Sequence, residues 1–339
     1  MLSELTTLGL GGPPGRFVEA ATDDELVSAV RDADAASEPV LVLAGGSNLV
    51  IADEGFAGLV VRVRTTGVQR DGDVLHVAAG EPWDAFLARC VDHGRAGAEC
   101  LSGIPGAIGA TPIQNVGAYG QEVAETIVGV RAWDRSAGRI VDLAPEACGF
   151  SYRSSAFKRE PGRHVVLRVS FRLPHSPVSG PLRYAELART LGLTLGASAP
   201  LAEVREAVLA LRRGKGMVLD PTDPDTRSAG SFFTNPVLTA NEFAALQARA
   251  ADAPPGWPEP DGRVKTSAAW LIERAGFHRG DGDPAGIAIS TKHVLALTNR
   301  GHGTAGELIA LARRIAAGVR DAFGVSLVPE PVLVGLPWP

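Results

Sequence analysis

Between residues 16 and 64 the spacing of apolar positions changes character twice. RFVEAA and GLVVRVR read as strands and PVLVLA as a short buried one, while Leu26, Val30 and Ala33 between them recur at helical spacing. Thr22-Asp-Asp-Glu25 opens that helix with a hydroxyl and a carboxylate, each able to satisfy a free amide of its first turn. The pattern predicts a β-α-β unit. Strand patterns follow at 74–79, 126–133, 139–143 and 165–173, with a short helix at 83–92 and a Gly-rich stretch from 103 to 120, which predict a second, mostly β unit.

Residues 174–196 are rich in Pro, Ser and Gly and read as an insertion, a loop with a short helix around 184–191. Leu201, Val204, Val208 and Leu211 mark one face of a helix that Gly214-Lys-Gly216 ends. Beyond it the pattern predicts a loop at APPGWPEPDG, a helix over 267–275 stopped by Gly276, and a strand over 293–299. A helix opened by Thr304-Ala-Gly-Glu307 turns Leu308, Leu311, Ile315, Val319 and Phe323 inward, and leaves Arg313, Arg314, Arg320 and Asp321 solvated. The chain then runs extended and apolar over 325–335, around Pro329-Glu330-Pro331. The expected fold class is α+β. Breaks near 66 and 214 predict three domains: 1–66 joined by 325–339, 67–214 carrying the insertion, and 215–324.

Composition narrows the function classes. The chain has 339 residues, 45% hydrophobic and 21% charged, in the range of folded globular proteins. Its longest apolar stretches, around 40–44 and 49–52, are interrupted by Gly-Gly-Ser-Asn, so no membrane span is expected. MLSELTTLGLGG lacks the basic start and apolar run of an export signal, which makes the cytoplasm the expected location. A net charge of -5 without a long basic run argues against nucleic acid as a partner. Three cysteines without CxxC spacing read as core thiols rather than a zinc site, and no metal is expected. No apolar surface stripe is left over, so a monomer is expected.

Two segments could carry chemistry through their backbones. Gly45, Gly46, Ser47 and Asn48 follow a buried strand, where glycines let consecutive N–H groups approach a phosphate; a plain tight turn has the same spelling. It is neither GxGxxG nor a P-loop. LSGIPGAIGATPIQNVGAYG, residues 101–120, has no charge, which fits a backbone packed on a flat ligand and read by Gln114 and Asn115, or a buried crossover. Arg153, Ser231 and Glu330 are polar residues in tight or apolar surroundings. Glu330 must be solvated, paired or kept for charge chemistry. Ser231 lacks the G-x-S-x-G context of a hydrolase and could be a turn residue.

In order along the chain, AGGSN, LSGIPGAIGATPIQNVGAYG, YRSSAFK, GSFFTNP and PEP resemble the bacterial UDP-N-acetylenolpyruvoylglucosamine reductase (MurB) family, in its longer subclass with the insertion loop. The resemblance implies a flavin fold like that of vanillyl-alcohol oxidase: two FAD-binding subdomains, the β-α-β unit and the mostly β unit, and a third α+β domain for the nucleotide sugar. Gly45, Gly46, Ser47 and Asn48 would then hold the FAD pyrophosphate. Ile104, Pro105, Gly109, Ala110, Gln114, Asn115, Gly117, Ala118 and Tyr119 would line the cofactor.

The implied reaction is NADPH-dependent reduction of UDP-N-acetylglucosamine enolpyruvate to UDP-N-acetylmuramate, for peptidoglycan precursors, with hydride delivered to C3 and a proton to C2. Arg153 and Glu330 match the residues that stabilise charge on the substrate carboxylate, and Ser231 matches the proton donor, a task a hydroxyl performs poorly without help. Tyr184, Lys215, Asn235 and His293 match contacts to the UDP portion. The chain departs from the family at Ala44, where a third glycine is common, and at Val328 and Val332, where many members have an acid and an arginine. A flavin oxidase of the same fold and a cofactor-free UDP-sugar binding protein are the competing expectations.

Overall fold

Thr22 and Glu25 form the expected capping box, the Thr22 hydroxyl accepting from the Glu25 N–H and the Glu25 carboxylate from the Thr22 N–H, each at 3.2 Å. The helix they open, Asp23–Ala35, buries Leu26, Val30 and Ala33. It packs on a parallel sheet of three strands in the order Pro14–Ala20, Phe56–Val63, Val40–Leu43. The second sheet is antiparallel and five-stranded: Arg139–Leu143, Ile127–Asp134, His164–Arg172, Val74–Ala78, Val68–Asp71. One apolar core, including Leu59, Trp83, Phe86, Leu101 and Phe171, joins the two sheets. Each such side chain contributes about 1.5–3 kcal/mol by leaving water.

In the computed structural model, which describes residues 1–339, these elements belong to one compact unit, residues 14–46 and 56–214. The other unit comprises residues 1–13, 47–55 and 215–339. The break near 214 coincides with a unit boundary, whereas the one near 66 does not. Residues 47–55 leave the β-α-β pattern because Leu49–Ile51 pairs in parallel with Val332–Val334, the extended C-terminal run.

The second unit holds two small antiparallel sheets, Ser228–Ser231 with Ala296–Asn299 and Ile287–Ile289, and Val237–Leu238 with Val264–Thr266 and Gly256–Pro258. The latter puts a strand inside the expected loop APPGWPEPDG. The strand expected over 293–299 begins at Ala296, because a turn closed by Ser290 N to Ala296 O and Ala296 N to His293 O occupies the residues before it. The helix Ala305–Phe323 buries all five apolar positions read from the sequence and leaves Arg313, Arg314, Arg320 and Asp321 exposed. No helix is long and apolar enough to cross a membrane.

Candidate active site

The turn after Val40–Leu43 and the Gly-rich loop meet backbone to backbone. A Cβ on Gly45 would stand 2.5 Å from the Gly106 Cα, so glycine is required for this approach. The loop is pinned from below: Gly109 N donates to Ala79 O at 2.8 Å, Ile108 N to Glu81 O at 2.9 Å, and Trp83 N to Gly106 O at 3.0 Å. Asp84, in the first turn of the helix Trp83–Asp92, accepts from Gly103 N at 2.6 Å and pairs with Arg205 at 2.7 and 2.9 Å. Burial pushes the Asp84 carboxyl up, but the hydrogen bonds from Arg205 and Gly103, with the charges of Arg205 and Arg212, bring it below its ordinary value. Ile104, Pro105 and Ala110 remain half-buried while Ala107, Ile108 and Gly109 are buried, so the loop presents a partly open backbone surface.

Four non-glycine residues have positive φ, and three of them are Asn115, Tyr119 and Arg153. Such strain persists where the surroundings over-determine it. Asn115 is 1% exposed. Its Nδ2 donates to Glu122 Oε2 at 2.7 Å and to Ser151 O at 3.0 Å, and its Oδ1 accepts from Ala124 N at 3.2 Å. The Asn115 carboxamide thus ties the loop to Glu122, Ser151 and Ala124.

The YRSSAFK segment closes over the same loop. Reciprocal 3.0 Å backbone bonds between Ser151 and Ser154 form a tight turn with Arg153 inside it, and Arg153 Nη2 donates to Gly117 O at 2.8 Å. Ser155 Oγ donates to Ile113 O at 2.7 Å and caps the turn of helix Ala156–Arg159. Lys158 Nζ donates to Gln114 Oε1 at 2.8 Å and to Arg153 O at 3.1 Å. Ser155, Lys158 and Glu122 were not singled out from sequence; one available signal was that Lys158 is one of four lysines in an arginine-rich chain.

Gly117 and Ala118 pair with Gln121 and Glu122 as a hairpin, with Tyr119 at its tip. The Tyr119 ring meets Tyr184 edge to face at 5.4 Å. The insertion that carries Tyr184 is seated: Leu182, Leu187 and Ala188 pack with Cys100, Ala199, Val204 and Val208, and Arg183 pairs with Glu125. Burial pulls the Arg212 guanidinium below its ordinary value, a shift that Tyr119 and Asp84 oppose.

Ser231, Glu330, Lys215, Asn235 and His293 all lie in the other unit, as do Ser47 and Asn48. Ser231 ends the strand Ser228–Ser231 and pairs with Ala296 after an irregularity in register. Phe232 and Phe233, each 1% exposed, anchor the chain immediately after it. Phe232 N donates to Leu295 O at 2.7 Å and Phe232 O accepts from Glu330 N at 2.8 Å, so Ser231 and Glu330 lie on hydrogen-bonded neighbouring segments.

Asn48 braces the Glu330 segment, its Nδ2 donating to Glu330 O at 3.4 Å and its carbonyl accepting from Val332 N at 3.0 Å. Asn235 Oδ1 accepts from Ala268 N at 3.0 Å and so holds the start of helix Ala268–Arg274. His293 sits in the turn between Ile287–Ile289 and Ala296–Asn299, with its N–H on Ser290 Oγ at 3.3 Å. Lys215 precedes Gly216, whose φ of +66 follows the end of the helix Leu201–Gly214.

No group of three or more His, Cys, Asp or Glu side chains is arranged to hold a metal ion. Cys90, Cys100 and Cys148 are buried, and burial pushes their thiols up to about 12, 12 and 11.

Residues 220–334 match the family described as UDP-N-acetylenolpyruvoylglucosamine reductase, C-terminal domain, and residues 14–144 match the FAD binding domain family. The chain is 57% identical to the UDP-N-acetylenolpyruvoylglucosamine reductase of Thermobifida fusca, covering 99% of this chain and 97% of that protein. It is 58% identical to that of Streptomyces coelicolor, covering 99% and 89%. Among solved structures it resembles the crystal structure of UDP-N-acetylenolpyruvylglucosamine reductase (MurB) from Thermus caldophilus, with a TM-score of 0.67 and 25% identity over 98% of this chain and 97% of that one. With relatives this similar along their whole length, the chain belongs to the UDP-N-acetylenolpyruvoylglucosamine reductase family.

Proposed function

We propose that the chain reduces UDP-N-acetylglucosamine enolpyruvate to UDP-N-acetylmuramate in peptidoglycan precursor synthesis, with FAD as cofactor and NADPH as donor. Similarity along the full length of curated reductases carries this reading. The residues present fit FAD. The turn at Gly45 and Gly46 packs backbone to backbone on Gly106, and Ile104, Pro105, Gly109, Ala110, Gly117 and Ala118 belong to a segment, residues 101–120, that carries no charged side chain and so suits a flat ligand read through main-chain groups. Gln114 and Tyr119 lie in the same segment, and Ser47 and Asn48 continue the turn. When bound, FAD would supply the two-electron chemistry that links NADPH to the enolpyruvyl group.

The side chains do the rest. An enol ether accepts hydride poorly unless charge developing on the adjacent carboxylate is stabilised, the role assigned to Arg153 and Glu330. The Gly117 carbonyl and the Ser151–Ser154 turn hold Arg153 in one orientation before substrate arrives. Ser231 gives its proton to C2, completing the net addition of hydride and proton across the double bond. Tyr184, Lys215, Asn235 and His293 hold the UDP portion, Lys215 as a point charge on phosphate and Asn235 through Nδ2. A cytoplasmic monomer that uses neither nucleic acid nor membrane completes the reading.

Ser231→Ala tests it. Bleaching of the flavin by NADPH should persist, while reoxidation by the enolpyruvyl sugar falls about 10²–10⁴-fold, the usual share of a general acid. Equal loss in both halves removes Ser231 from the proton-donor role. Rapid reoxidation of the reduced enzyme by air but not by the sugar indicates a flavin oxidase, and a protein that binds the sugar but not FAD indicates a binding protein.

A further inference from the structure

Asp225, six residues before Ser231 in the sequence, is 3% exposed and is the hub of a polar network that none of the assigned roles uses. Its Oδ1 accepts from Arg300 Nη2 at 2.6 Å and from Thr291 N at 3.2 Å, and its Oδ2 accepts from the Thr291 hydroxyl. Two residues earlier, Asp223 caps the short helix Pro224–Thr226 through Asp225 N at 3.0 Å and pairs with Lys292. These two acids thus grip residues 291 and 292, immediately before His293. The same segment then runs into Ser228–Ser231, whose pairing with Ala296–Asn299 is extended by Asn299 N on Arg227 O at 3.0 Å.

We infer that Asp225 is a positioning residue for the reaction: its carboxylate locks the turn carrying His293 to the segment that delivers Ser231. A buried ion pair is a weak source of net stability, and this one leaves Arg300 Nε buried without a partner. What the arrangement does is fix two turns against each other, because three of the acids' ties reach Thr291 or Lys292 rather than a distant scaffold. Displacing reacting groups by about 1 Å can cost on the order of 100-fold in rate. This inference rests on the roles proposed above for Ser231 and His293.

The test compares holoenzyme and Asp225→Asn under anaerobic conditions. Flavin content, the melting temperature and the solvent deuterium isotope effect on reoxidation by the enolpyruvyl sugar are read together. Asp225→Asn should keep its FAD, lose about 10- to 100-fold in the reoxidation rate, and show a larger solvent isotope effect than wild type, since proton delivery has become limiting. A lowered melting temperature with unchanged reoxidation rate and isotope effect would overturn the inference. If Asp225→Asn fails to fold, Thr291→Val, which removes one hydroxyl from the network, must show the same two kinetic changes in smaller measure or the inference falls. Wild type that is not reoxidised by the sugar at all would instead overturn the functional reading on which the inference stands.

Discussion

Asn115 has a left-handed backbone, a buried carboxamide and three protein hydrogen bonds, a combination that makes it a staple of the Gly-rich loop. Asn115→Ala leaves the Glu122 carboxylate, Ser151 O and Ala124 N short of a partner, at about 1–3 kcal/mol for each such group that stays buried. The expected result is a lower urea midpoint and weaker FAD retention; an unchanged midpoint would show that water replaces the carboxamide. The residue types of the site were legible in the sequence, because uncharged Gly-rich segments and an acid between prolines are local anomalies. The partners were not. Whether an amide faces a ligand or Glu122 depends on a hairpin closing seven residues later and on the Ser151 turn, and neither leaves a mark on the spelling around Asn115. Lys158 was missed for the same reason: a lysine four residues after a short turn looks like surface until its Nζ is seen on Gln114 and on the Arg153 carbonyl.

Elements whose determinants are sequential follow the pattern closely. The helix Ala305–Phe323 begins with the Thr304–Glu307 box, and its first amides also donate to Asp53, Ala305 N to Oδ1 at 2.8 Å and Gly306 N to Oδ2 at 3.0 Å. Thr304→Ala should cost about 1 kcal/mol, the usual loss of a cap, read as a shift in urea midpoint. Asp53→Ala in the same background should add to it, since the two groups satisfy different amides. The sequence reading joins 325–339 to 1–66, but the strand pairing was out of reach: nothing in the spelling of Leu49–Ile51 sets its register against Val332–Val334.

Asp84 anchors the loop through Gly103, and its depressed pKa has a stability consequence. Because its folded value lies below the ordinary 3.8, the carboxylate adds stability that is complete above that pH and is lost as pH falls through the folded value. Asp84→Asn should therefore be less stable than wild type at pH 7, with the gap closing as the pH falls below about 4. A gap independent of pH would mean that shape rather than charge holds the loop.

At the scale of the whole chain, the candidate site residues are divided between the two units. One boundary falls between Gly46 and Ser47, inside the turn assigned to the pyrophosphate, and Arg153 belongs to a different unit from Ser231 and Glu330. The sequence reading divides the chain into three domains, whereas packing groups residues 1–13 and 47–55 with 215–339, through the Leu49–Ile51 ladder and contacts such as Asn299 Nδ2 on Leu8 O at 3.0 Å. A single sequence of additions tests the proposed reaction most directly. Purified holoprotein is held without oxygen while its visible flavin spectrum is recorded, first after NADPH and then after UDP-N-acetylglucosamine enolpyruvate. Bleaching followed by full recovery, with UDP-N-acetylmuramate as product, is the predicted result. Bleaching without recovery on the sugar would contradict it.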